Sequence, residues 1–239
     1  MLGFYALSLM VLSLPSTLIS GSISEAFSPR VAMAKHKNKQ TEMLEKLYVR
    51  LVAIMIFPFL ILGIFGDRLF LIVFGPEWMQ SGIIAPILVI RIFLEIIFSP
   101  SLSLVAIMNK QELSLISSIA SSLISVIALL LGAYYNNFYL ALWCLVILEG
   151  ATITILSSYM MRLIHFPFIH SMKKLSKYVF ISIFIGFSTF LIGELFPVNN
   201  IYFISTIFFS FLIYYSLVAY WDREMTIAVA KSIRSFVKI

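Results

Sequence analysis

Apolar positions in this chain fall in long unbroken runs, with neither the alternation of a half-buried strand nor the single stripe of a soluble amphipathic helix. No charged residue occurs between Met1 and Ser24, and uncharged stretches recur over 51–66, 113–148, 178–193 and 195–221. A helix needs about 20 mostly apolar residues to cross a bilayer. The pattern therefore predicts seven spans: 3–24, 46–66, 82–108, 112–133, 137–162, 175–196 and 199–222. The third and fifth are long enough to tilt or to extend past the hydrocarbon. Strands of a membrane β-barrel alternate apolar and polar residues, so the continuous runs favour an all-α, polytopic membrane bundle over 1–222, followed by a basic tail over 223–239.

Composition narrows the picture in one direction. The chain is 61% hydrophobic with a mean hydropathy of +1.03, and 12% of it is charged, against about 25% in soluble domains. That is too little polar surface to face water. Cys144 is the single cysteine, which excludes an internal disulfide and a cysteine metal cluster.

The net charge of +6 is distributed as a topology signal. Of 17 Lys and Arg, fifteen lie in alternate connections, Arg68 lies on the other side, and Arg91 lies inside a span. Segment 25–50 carries Arg30, Lys35, Lys37, Lys39, Lys46 and Arg50; later basic connections carry Lys110, then Arg162, Lys173, Lys174 and Lys177, then Arg223, Lys231, Arg234 and Lys238. The positive-inside rule makes these connections cytoplasmic, with the N-terminus outside and the C-terminus inside. The basic residues are spread over separate loops, which argues against nucleic acid as a partner. An odd number of crossings from an outside N-terminus implies that earlier helices are missing. A secretory signal peptide fits poorly, because the positive n-region is absent.

Two segments read as interfacial. Residues 67–81 mix Phe70, Ile72, Phe74 and Trp78 with charges around a Gly75-Pro76 break, which predicts a short re-entrant turn with Trp78 at headgroup level. In the tail, Lys231, Arg234 and Lys238 share one helical face while Met225, Val229, Ile233 and Phe236 line another. An amphipathic helix on the leaflet and a frayed basic end both fit that pattern.

Candidate chemistry is sparse and sits at mid-depth. Arg91 and Glu95 lie four apart on one helix face, roughly 14 and 20 Å below the outer end of their span, and Glu149 lies roughly 18 Å deep in span five. An isolated charge there costs about 2.5–3.5 kcal/mol on insertion scales, so all three should face protein or a watery cavity. In one reading Arg91 anchors an anionic substrate group and Glu149 couples to an ion or proton. In the other, Arg91 and Glu95 neutralise each other and Glu149 is buried and protonated. Pro15, Pro58, Pro86 and Pro100 interrupt spans and predict helix kinks, which suit a rocking transporter but are also common in membrane helices. Span four carries Ser114, Ser117, Ser118, Ser121, Ser122 and Ser125, at spacings that allow close helix packing or line a polar wall. His36, His165 and His170 have no metal-ligand spacing. With no nucleophile motif, no phosphate-binding glycine loop and very short outer loops, the chain is expected to be neither an enzyme nor a cofactor or metal binder.

Several short motifs together resemble a known family. They are Leu14-Pro15, Ser20-Gly21-Ser22-Ile23-Ser24, Phe27-Ser28-Pro29-Arg30 leading into a basic loop, Pro58, Pro100 and the Asn109-Lys110-Gln111 turn. Most telling is Ile72-Val73-Phe74-Gly75-Pro76-Glu77-Trp78 followed by Ser81-Gly82. The stretch from about 10 to 135 resembles polysaccharide-export flippases of the O-antigen (Wzx) type, in the MOP exporter superfamily. That resemblance implies 12 to 14 helices in two lobes around a central cavity. It aligns this chain with helices eight to fourteen, the C-terminal lobe plus the last two helices, and leaves the first lobe to a missing N-terminal half or a second chain. It implies transport of an undecaprenyl-diphosphate-linked oligosaccharide across a bacterial inner membrane. It further implies that Arg91 binds substrate at mid-depth and that Arg30 and Lys37 attract the headgroup at the cytoplasmic mouth. Partners are then membrane lipids and the lipid-linked oligosaccharide.

Other readings differ in class. Another exporter of the same superfamily, a multidrug antiporter or lipid II flippase, would differ in coupling ion and substrate. A polymerase or membrane glycosyltransferase would need sizeable outer loops or a soluble active-site domain, and neither is visible. An inactive fragment is the remaining alternative.

Overall fold

A computed structural model describes residues 1–14, 37–195 and 200–222. Every regular element among them is helical: α1 (Leu2–Leu14), α2 (Lys37–Phe74), a single 3-10 turn (Pro76–Trp78), α3 (Met79–Ile107), α4 (Gln111–Tyr134), α5 (Phe138–Leu163), α6 (Phe168–Leu195) and α7 (Asn200–Trp221). Six of these, α2 to α7, are long and apolar enough to cross a membrane. The predicted all-α polytopic bundle is therefore present. α1 forms the first part of the predicted span 3–24. The rest of that span, with Pro15, the motifs between 20 and 30, Arg30, and the tail 223–239, lies outside the described residues.

Helices α2 and α3 form the central hairpin. α5 packs on α3 and α4 on α5; on the other side α6 packs on α2, and α7 on α6 and α2. α1 rests on the central hairpin, with Leu12 fully buried among Leu51, Phe59, Ile84 and Leu88. α4 is the outermost helix: 11% of its apolar window is buried, against 56% for α3.

In hydrocarbon, a helix interrupted by proline must find another donor for the carbonyl four residues back. Pro58 orphans the Ile54 carbonyl, and Tyr215 of α7 donates its hydroxyl to that oxygen at 2.9 Å. Its neighbour Tyr214, fully buried, donates to the Ala53 carbonyl at 2.6 Å and stacks on Phe57. Pro100 orphans the Ile96 carbonyl, which accepts the Ser99 hydroxyl at 2.8 Å. Pro86 orphans the Gly82 carbonyl, and Gly66 packs directly on it. A Cβ on Gly66 would lie 2.7 Å from that oxygen, and one on Gly82 would overlap the Gly66 carbonyl. Inside α2 the break in helical dihedrals falls not at Pro58 but at Phe65 (φ −115°, ψ 17°), one residue before this close approach.

The structure lengthens two elements relative to the hydropathy pattern. Residues 37–45 belong to α2 rather than to a loop, because Leu44 and Glu45 are buried against the rest of the bundle. Residues 67–74 continue α2 past Phe65 instead of forming a re-entrant turn, and Phe70 is buried there at 1% exposure. The turn itself is confined to 75–78. Gly75 has φ +95°, a conformation that favours glycine, and its carbonyl accepts the Trp78 N–H at 3.1 Å. Trp78 meets Phe4 of α1 edge to face, and Ser8 of α1 donates to the Ser81 carbonyl at 2.7 Å. The Gly-Pro-Glu-Trp segment thus serves as the dock for α1.

These contacts yield a double-mutant test. Tyr215→Phe removes one interhelical hydrogen bond and should destabilise by about 1 kcal/mol, lowering the midpoint of thermal unfolding in detergent by about 2–4 °C. In a Pro58→Ala background the helix regains its own donor to Ile54, and the same Tyr215→Phe change should cost little.

Candidate functional site

α3, α4 and α5 converge at mid-depth on one carboxylate. Arg91 lies twelve residues into α3 and Glu149 eleven residues into α5, about 18 and 17 Å along their axes, so the antiparallel order of α3, α4 and α5 brings them level. The Arg91 Nε lies in direct contact with Glu149 Oε2. The other carboxylate oxygen, Oε1, accepts the Ser125 hydroxyl of α4 at 2.8 Å. The Glu149 side chain is 7% exposed and that of Arg91 is 23% exposed.

Small residues make this convergence possible. Gly150, beside Glu149, is buried, and a Cβ there would press on Leu94 of α3 at 3.2 Å. α4 reaches α5 along Ser121, Ser125, Ala128 and Gly132, of which Ala128 and Gly132 are buried. At Gly132 a Cβ would overlap that of Ala141. The tight 135–137 connection closes this hairpin: Asn136 has φ +48°, and the Asn137 side chain caps α5 by accepting the Leu140 N–H at 3.1 Å. The serines of α4 divide accordingly. Ser118 and Ser122 are exposed and bond the carbonyls of Ser114 and Ser118 in their own helix, while Ser125 turns inward to Glu149.

Electrostatically the site is a neutral couple with one acid beside it. In a low-dielectric interior neither Arg91 nor Glu149 is tolerable alone; each is the other's counter-charge. Glu95, one turn along α3, is half-buried and is not the partner of Arg91. The reading in which Arg91 and Glu95 neutralise each other therefore gives way to a pair between helices, because the more deeply buried acid, Glu149, has the greater need of a cation. Sequence spacing could not reveal Ser125 as the third member. Its depth could have, since it sits about 14 Å from the outer end of α4.

Other predicted residues lie elsewhere. Lys37 is the first residue of α2, and Pro58, Pro86 and Pro100 lie within α2 and α3 as described. Arg68, the one basic residue in the nearly uncharged connections, donates to the Gly193 carbonyl at 3.4 Å and lies over the Phe203 ring, tying α2 to α6 and α7. Among the described residues, no group of three or more His, Cys, Asp and Glu side chains is placed to hold a metal ion.

The fold and the buried couple define a multi-pass membrane protein with a polar contact at mid-bundle. A family model described as "Polysaccharide biosynthesis protein" matches residues 1–83, the stretch from α1 through the Gly66–Gly82 contact. Comparisons with curated proteins and with solved structures found no match. The family match supports a role in polysaccharide biosynthesis or export. The Arg91–Glu149–Ser125 contact lies beyond the matched residues.

Removing one charge should hurt more than removing both. Glu149→Leu leaves Arg91 unpaired and should destabilise by about 2–3 kcal/mol, below the 3–5 kcal/mol of a fully buried pair because Arg91 keeps some exposure. Arg91→Leu combined with Glu149→Leu should recover most of that loss. Thermal unfolding of the purified variants in detergent measures both.

Proposed function

We propose that this chain forms one lobe of a flippase that carries an undecaprenyl-diphosphate-linked oligosaccharide from the inner to the outer leaflet of a bacterial inner membrane. The observation that carries the proposal is the Arg91–Glu149–Ser125 contact at mid-depth, a charged couple joining three helices, together with the polysaccharide family match over residues 1–83. The resemblance of the 72–82 motif to O-antigen exporters of the MOP superfamily supplies the finer assignment.

In this reading the basic connections face the cytoplasm, and Arg30 and Lys37 draw the anionic headgroup toward the mouth. Arg91 then exchanges counter-ions. At rest it pairs with Glu149; when a diphosphate arrives, the guanidinium turns to the phosphate oxygens, which suit its planar donor fork. Glu149 is left buried, with Ser125 holding its carboxyl group in place, and takes the guanidinium back once the anion has moved on. The exchange needs no covalent step. Glu95 is a second carboxyl within the same face of α3. A second lobe, from another segment or another chain, closes the cavity on the exposed side of Arg91.

The test is export in cells. In a full-length exporter context, Arg91→Ala should lower surface polysaccharide by about tenfold or more, the loss of a charged contact worth at least ~1.4 kcal/mol, with the protein still present in the membrane fraction. Arg91→Lys should retain part of the activity. Export at the parental level in Arg91→Ala would overturn the role assigned to Arg91.

A further inference from the structure

A second charged cluster lies on the opposite flank of the central hairpin, where the start of α2, the start of α6 and the end of α7 meet. An open cavity of about 280 Å³ lies among Lys46, Arg50, Lys174, Lys177, Trp221 and Asp222. That volume is just below the usual range for small-molecule sites, about 300–1,000 Å³, which suits a headgroup rather than a macromolecule. Among the described residues, four cations against Glu45 and Asp222 leave the lining at +2. Glu42 pairs with Lys46 at 2.8 Å from outside the lining, and counting it still leaves +1.

The cations are held in place by their neighbours. Glu45 is buried; it accepts Lys174 Nζ at 2.9 Å and the Ser171 hydroxyl at 3.3 Å. Arg50 reaches Asp222, just past the end of α7, at 3.8 Å. Lys177 lies over two rings, Tyr178 at 4.7 Å and Trp221 at 5.5 Å. From Lys177 the outer face of α6 continues through Phe180, Phe184 and Phe187, exposed by 73%, 73% and 58%. These side chains share one helix face at spacings of three and four. An amine lying against two aromatic rings therefore stands at the head of a long apolar surface.

We propose that this cavity binds the phosphate headgroup of an anionic phospholipid, with the acyl chains lying along Phe180, Phe184 and Phe187. The cations alone would suit a soluble anion as well; the apolar face of α6 that leads away from Lys177 into the span favours a lipid, whose chains continue from its phosphate. Basic recesses between membrane helices at the interface bind anionic headgroups in this manner, and a tryptophan at that level suits the headgroup boundary. The site is separate from the Arg91 contact and stands or falls without the flippase reading.

Native mass spectrometry of the purified full chain tests it, with phosphatidylglycerol, cardiolipin or phosphatidylcholine added in detergent. The two anionic lipids should be retained in preference to phosphatidylcholine. Lys177→Gln should lower retention about fivefold, one basic residue's share of such a contact, while Lys177→Arg keeps it. Lys173→Gln, at an exposed position outside the cavity, should leave retention unchanged. Lys46→Gln at the rim should also lower it, and serves if Lys177→Gln does not give a monodisperse protein. Equal retention of phosphatidylcholine, parental retention in the Lys177→Gln and Lys46→Gln variants, or displacement of the lipid by millimolar inorganic phosphate would each overturn the proposal.

Discussion

Inside a bilayer no water stands ready to satisfy a backbone carbonyl, and this constraint explains more of the bundle than hydrophobicity does. Apolar surface alone would let α7 slide along α2, since lipid is as apolar as another helix. Pro58 removes that freedom. The Ile54 carbonyl it orphans has a partner only when Tyr215 is in register, and Tyr214 on Ala53 repeats the lock one residue away. Pro100 is settled within its own helix by Ser99, and Pro86 is covered by Gly66. Two of the three interruptions are thus tied to a neighbouring helix, Pro58 to α7 and Pro86 to α2.

The same logic applied to charge gives the mid-depth contact. A carboxylate as buried as Glu149 needs a cation more than Glu95 does, so Arg91 pairs across to α5. Ser125 then draws in α4, a helix with little other burial. One polar contact thereby joins three helices. The polysaccharide family match covers the first 83 residues, and this contact lies beyond them.

Much of this was legible in the sequence. The six long helices follow from uncharged runs, and the turns at Gly75-Pro76, Asn109-Lys110 and Asn136-Asn137 follow from residues that tolerate left-handed backbone or begin a helix. The mid-depth placement of Arg91 and Glu149 needed only helix arithmetic. What stayed hidden depends on neighbours distant in sequence. The i, i+4 spacing pointed Arg91 to Glu95, whereas the partner is 58 residues further along. Hydropathy ended α2 at Gly66, because Asp67 and Arg68 look like a loop until Arg68 is seen resting on Phe203. Lys46 and Lys174 read as topology signals, and nothing local revealed that a buried Glu45 gathers Lys174 into a defined recess.

The contact between Gly66 and Gly82 bears on how such a bundle can move. Main chain meets main chain there, so no rotamer can adjust to absorb a shift. The end of α2, the Gly75 turn and the start of α3 consequently behave as a stiff bracket. Any rocking of one flank against the other must take up its displacement where helices meet through side chains, along α3–α5 and α2–α6. The pivot of the molecule is then fixed by two missing methyl groups.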